Sequence, residues 1–186
     1  MVTYSSSLAL AMAIALGIPT IGRAQRPGAV AEVYRIRPQG SATTIASMRR
    51  LQLEHDFGSQ CEPVLVAEFA FGKDGPRSAQ VVRLGIISSE FEGQRLGVEA
   101  DGAAYDVGTL RRFDFVEYSW CRYMPPTVGV ELDRRRFVAI AGSQRIVLHV
   151  GERAIPLERE HIDALHALAL ELDSSDDKPV LTWPPN

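Results

Sequence analysis

Leu96–Val107 reads LGVEADGAAYDV, two alternating apolar–polar runs joined by Asp101-Gly102. Asp-Gly is a preferred two-residue hairpin loop of type I′. With those residues as the turn, Val98 stands opposite Tyr105 and Leu96 opposite Val107, all on one face. A slip of one residue would turn every one of these side chains to the other face. Turn and pattern therefore agree on an antiparallel hairpin, and the reading works outward from it.

The C-terminal half gives to the same arithmetic. Asp133-Arg134 as a loop sets Val130 opposite Phe137, and Arg136 opposite Glu131. Gly142-Ser143 sets Phe137 opposite Leu148 and Ala139 opposite Ile146, and places His149 opposite Arg136 on the other face. Gly151-Glu152 sets Leu148 opposite Ile155. The expectation is a row Val130, Phe137, Leu148, Ile155 across four consecutive strands. Upstream, VLVAEFAF (Val64–Phe71) is almost wholly apolar, as in a strand buried on both faces. Lys73–Pro76 (KDGP) turns the chain, and Gln80–Ile87 returns antiparallel to it. Ser47–Phe57 alternates, with Leu51, Leu53 and Phe57 on one face, and Ala31–Arg37 reads as an ordered lead-in or an edge strand.

One helix is predicted. From Glu158 to Leu172, Ile162, Leu165, Ala169 and Leu172 recur at three- and four-residue steps. That stripe should cover the apolar row or close one end of the sheet. The fold class is thus mainly β, a β-rich α+β chain. An antiparallel meander forms a sandwich or barrel-like sheet, with one C-terminal helix packed on it. Residues 25–172 make one domain, and residues 173–186 a polar tail whose Val180–Trp183 can dock on the body.

A chain of 186 residues with 46% hydrophobic and 23% charged residues is a single globular domain. The net charge of −3 offers no basic surface for nucleic acid. Residues 1–24 differ from the rest. Leu8–Ile18 (LALAMAIALGI) is continuously apolar over 11 residues, Pro19 breaks it, and Gly22-Arg23-Ala24 supplies small residues for a peptidase. A membrane-spanning helix needs about 20 residues, so the run reads as a signal peptide cleaved before Gln25. The mature protein is expected in the periplasm or secreted, with no stable membrane span.

In an oxidising compartment Cys61 and Cys121 are expected to form one disulfide. The bridge would contribute up to about 4 kcal/mol by the loop-entropy argument. The aromatic segment FDFVEYSWCRY (Phe113–Tyr123) offers Phe113, Phe115, Tyr118 and Trp120 as core or as the lining of an apolar ligand site. Arg134, Arg135 and Arg136 could hold an anion if they met on one surface. Glu90/Glu92, Asp114/Glu117 and Glu99/Asp106 are paired carboxylates of the kind acid–base hydrolysis needs in contrasting environments. His55, His149, His161 and His166 are read as surface or hydrogen-bonded structural histidines. Nothing in the sequence reads as a catalytic centre, a metal site or a cofactor fingerprint. The expected function is non-enzymatic binding of a protein or cell-envelope component. Transport of a small apolar ligand and carboxylate-based hydrolysis are the alternatives.

Overall fold

The computed structural model describes residues 33–53, 63–88, 90–113, 126–174 and 180–183. In chain order its elements are β1 (Val33–Pro38), β2 (Thr44–Met48), β3 (Leu51–Gln52), β4 (Val64–Phe71), β5 (Val81–Ile87), β6 (Arg95–Ala100), β7 (Ala103–Thr109), β8 (Arg111–Arg112) and β9 (Thr127–Asp133). There follow α1 (Arg134–Ala141), β10 (Ile146–Val150), β11 (Arg153–Pro156), α2 (Arg159–Leu172) and β12 (Leu181–Trp183).

The strands form two open sheets rather than a closed barrel. The large sheet runs β12-β1-β2-β4-β5-β9-β8, with β3 also on β4, and the small sheet runs β11-β10-β6-β7. Among the described residues all pairs are antiparallel except β1 with β12. A single length of chain, β7 continued into β8, serves both sheets: it pairs with β6 up to Thr109 and with β9 from Arg111. Sheets that share a strand at a corner in this way enclose one core between them, and one buried cluster takes in Leu65, Phe69 and Leu84 of the large sheet with Val98, Leu148 and Ile155 of the small one.

The expected fold class holds, and so do two of its registers and one of its strand pairings. Val98 pairs with Tyr105 around Asp101-Gly102, where both turn residues have positive φ (48° and 84°), as a type I′ turn requires. Leu148 pairs with Ile155 around Gly151-Glu152. Val64–Phe71 is buried along nearly its whole length and pairs with β5. Leu96, however, pairs with Gly108 and not Val107, because a bulge beside Gly97 inserts one residue.

The largest correction is Arg134–Ala141, which is helix α1 and not a strand. Asp133 is its N-cap: the carboxylate accepts the Arg136 backbone N–H at 2.9 Å. Phe137, Ile140 and Ala141, at i, i+3 and i+4, are its buried residues. The pairings of Val130 with Phe137, Phe137 with Leu148, Ala139 with Ile146, and Arg136 with Glu131 and His149 are therefore replaced. Leu148 pairs instead with Val98, and Val130 with Leu84. The apolar row on the small sheet is Ile155, Leu148, Val98, Tyr105.

Helix α2 is as expected, with its stripe buried. It lies against β1, β2 and β4 of the large sheet and against α1, rather than over the row just named. Strand β1 is not an edge, since β12 runs along it. Leu51 and Leu53 are buried as read, and Phe57 lies outside the described residues.

Candidate functional site

The small sheet turns one face to the core and the other to solvent. Along β6, Leu96, Val98 and Ala100 point inward, leaving Arg95, Gly97 and Glu99 outward; along β10, Leu148 is buried and His149 exposed. Pairing brings His149 opposite Gly97, with Glu99 one position along, opposite Val147. The imidazole Nε2 lies 3.7 Å from a Glu99 carboxylate oxygen. Asp106, opposite Gly97 on the other side, forms an ion pair with Arg95. These groups line a shallow groove of about 350 Å³. His149 and Glu99 are 45% and 46% exposed, so water reaches both.

A second polar row crosses the outer face of the large sheet. Glu68 on β4, Arg83 on β5 and Glu131 on β9 stand side by side. Arg83 Nε is 3.3 Å from Glu131, one of its terminal nitrogens is 3.9 Å from Glu68, and its guanidinium lies 5.4 Å from the centre of the Phe113 ring. The Glu68 side chain is 3% exposed and that of Glu131 50%. A groove of about 290 Å³ opens beside the row.

Of the residues singled out in the sequence, Phe113 is half-buried against Val64, Val66 and Ile87. Phe115, Tyr118, Trp120, Cys61, Cys121, His55, Asp114 and Glu117 lie outside the described residues. The arginine triplet does not converge. Arg134 donates to the carbonyls of Arg77 (2.8 Å) and Leu172 (3.2 Å) and pairs with Asp173, so it closes the C-terminus of α2, where the helix dipole favours a cation. Arg136 is 3.8 Å from the Asp133 carboxylate one turn back, and Arg135 is exposed on α1. Glu90 pairs with Arg153 at 3.2 Å and Glu92 with Arg112 at 2.8 Å, both at the surface. Glu99 and Asp106 do share a face, Glu99 beside His149 and Asp106 paired with Arg95.

His161 is structural. Its Nδ1 accepts the Glu158 backbone N–H at 3.1 Å, which leaves Nε2 to carry the proton donated to the Gln52 carbonyl at 2.9 Å. The ring thus ties the start of α2 to β3. His166 is exposed on α2.

Sequence reading missed the buried charges. Arg35 Nε and Glu171 Oε1 are 2.6 Å apart, with both side chains 2% exposed, linking β1 to the last turn of α2. Arg35 also donates to Ser174 Oγ at 2.8 Å and stacks over Phe71. The available signal was a glutamate inside each of two apolar runs: Glu68 in VLVAEFAF and Glu171 in the helical stripe. Among the described residues no three His, Cys, Asp or Glu side chains gather as a metal ion would need, and no helix is long and apolar enough to cross a membrane. Comparison with protein-family models, curated proteins and solved structures finds no match.

Proposed function

We propose that the chain is an exported, non-catalytic binding domain whose partner is a protein or a cell-envelope component, held on the outer face of the small sheet. The observation that carries this reading is the character of that face. It is broad, held by three ladders, and dressed with the Arg95–Asp106 ion pair and with His149 beside Glu99, all of them open to water. Acid–base catalysis draws its strength from groups shielded from solvent, whereas a mixed-charge open face suits recognition of another surface. The space between the sheets is filled, with Phe69, Phe137, Leu84 and Leu96 among its largest fully buried side chains. This favours a surface partner over an apolar ligand carried inside.

Two experiments test it. Intact mass of exported material should correspond to a chain beginning at Gln25; a full-length chain kept in the cytosol would remove the export half. A photo-crosslinking residue at position 149, introduced in the producing cells, should give a discrete adduct that the same residue at position 138 on α1 does not. Equal labelling from both positions would count against the face. A small molecule retained in native mass spectra, with no adduct, would favour the carrier.

A further inference from the structure

Asp-Gly occurs twice in the sequence, at Asp74-Gly75 and at Asp101-Gly102, and each pair lies in a turn. Such a pair can react with itself. The backbone nitrogen of the glycine attacks Cγ of the protonated aspartyl carboxyl. An N–Cγ bond forms, a Cγ–O bond breaks, and the amide proton leaves with the hydroxyl as water. The product is a cyclic succinimide. Water then opens the ring at either carbonyl. Opening at the original peptide carbonyl leaves the chain running through Cγ, an isoaspartyl linkage of unchanged composition. No oxidant or cofactor takes part, and glycine favours the step because no Cβ shields its nitrogen.

The fold treats the two pairs differently. The Asp101 carboxylate accepts the backbone N–H groups of both Gln144 and Arg145, and its own N–H is donated to the Arg145 carbonyl. Its Cγ is therefore held towards the α1–β10 loop, and the ladder closes tightly around the turn, with Ala100 opposite Ala103. Ring closure there would forfeit bonds to two donors, each strengthened by the charge of the acceptor. The Asp74 side chain is exposed and makes no hydrogen bond or ion pair to a described residue. What restrains this pair is the bond from the Gly75 N–H to the Gly72 carbonyl at 3.1 Å. A single neutral backbone bond is the weaker restraint. The Gly75 carbonyl accepts from both the Ser78 N–H and the Ser78 hydroxyl, so the glycine stays in place while the aspartyl side chain turns.

We infer that Asp74 is a site of spontaneous isoaspartyl formation in the folded chain, and that the contact of Asp101 with the α1–β10 loop shields the second Asp-Gly pair from the same reaction. The new linkage adds a methylene to the main chain just ahead of the 3₁₀ turn Pro76–Ser78. From that turn Arg77 donates to the Asp173 carbonyl and offers its own carbonyl to Arg134, so the modified segment sits against the end of α2. Neither export nor the small-sheet face bears on this reaction.

The test incubates the full chain at neutral pH in water enriched in oxygen-18, once folded and once in concentrated urea. Each passage through the succinimide takes up a labelled oxygen, and peptide mass spectrometry reads both the label and the isoaspartyl linkage. In the folded chain Asp74 should gain both, and Asp101 should react at least about tenfold more slowly, since its carboxylate must first leave two donors. In urea the two pairs should react at similar rates. Absence of label at Asp74 in the folded chain would overturn the proposal, as would Asp101 reacting as fast as Asp74. The same difference persisting in urea would also overturn it, because local sequence and not the fold would then set the rates.

Discussion

The Asp101 carboxylate, at the tip of the β6–β7 hairpin, accepts the backbone N–H groups of Arg145 at 2.8 Å and of Gln144 at 3.0 and 3.1 Å. A residue chosen for its turn geometry thus also secures the loop between α1 and β10. Asp101→Ala removes these charge-assisted bonds and should cost about 1–3 kcal/mol, toward the low end because the site is exposed. Asp101→Asn keeps a side-chain acceptor and should cost less. Urea denaturation of the two variants measures the difference; an Asn variant as costly as the Ala variant would assign the effect to the carboxylate's charge, since asparagine keeps the turn.

Leu148 and His149 are neighbours on opposite faces. Leu148 is 1% exposed in the core, so Leu148→Ala should cost about 2–5 kcal/mol. His149→Ala, on the solvated face, should change stability by no more than about 0.5 kcal/mol. Denaturant midpoints decide this, and a reversed order would mean that β10 is shifted by one residue.

Glu171→Ala leaves the Arg35 guanidinium buried without its carboxylate and should cost about 3–5 kcal/mol. Replacing both at once, Arg35→Met with Glu171→Leu, should recover most of that loss, because buried pairs exchanged for apolar residues of similar size are often neutral. A double variant as unstable as Glu171→Ala would show that the pair contributes net stability.

Two glycines should respond in opposite ways. A Cβ at Gly129 on β9 would fall 2.6 Å from the Leu84 carbonyl oxygen, a backbone atom that cannot step aside, so Gly129→Ala should cost at least about 1–3 kcal/mol. A Cβ at Gly97 on β6 would meet nothing closer than the His149 Cβ at 3.6 Å. Gly97→Ala should therefore be neutral or stabilising by about 0.5–1 kcal/mol, since glycine weakens a strand interior. Thermal melts of both variants check the contrast.

Local chemistry was legible where it was sufficient. Asp101-Gly102 and Gly151-Glu152 specify their hairpins, and the stripe of Ile162, Leu165, Ala169 and Leu172 specifies α2. The reading failed at Arg134–Ala141, where Phe137 and Ala139 satisfy a two-residue period while Phe137, Ile140 and Ala141 satisfy a helical one. The Asp133 side chain decided between them: it was read as part of a turn, and it acts as an N-cap. The candidate site was half visible. His149 was placed on the outer face, and Glu99 with Asp106 was noted as a pair. Their meeting depends on β6 pairing with β10, a contact across some fifty residues of sequence for which no turn residue gives a sign.

The Arg35–Glu171 pair has a bearing on when the fold can be completed during synthesis. Arg35 leaves the ribosome early and its carboxylate partner 136 residues later. Until Glu171 emerges, β1 carries a cation whose burial without that carboxylate is strongly unfavourable, so β1 cannot take its final seat on the growing chain. A nascent chain arrested before α2 should accordingly stay open to protease around β1, and protection should appear only once the helix has emerged.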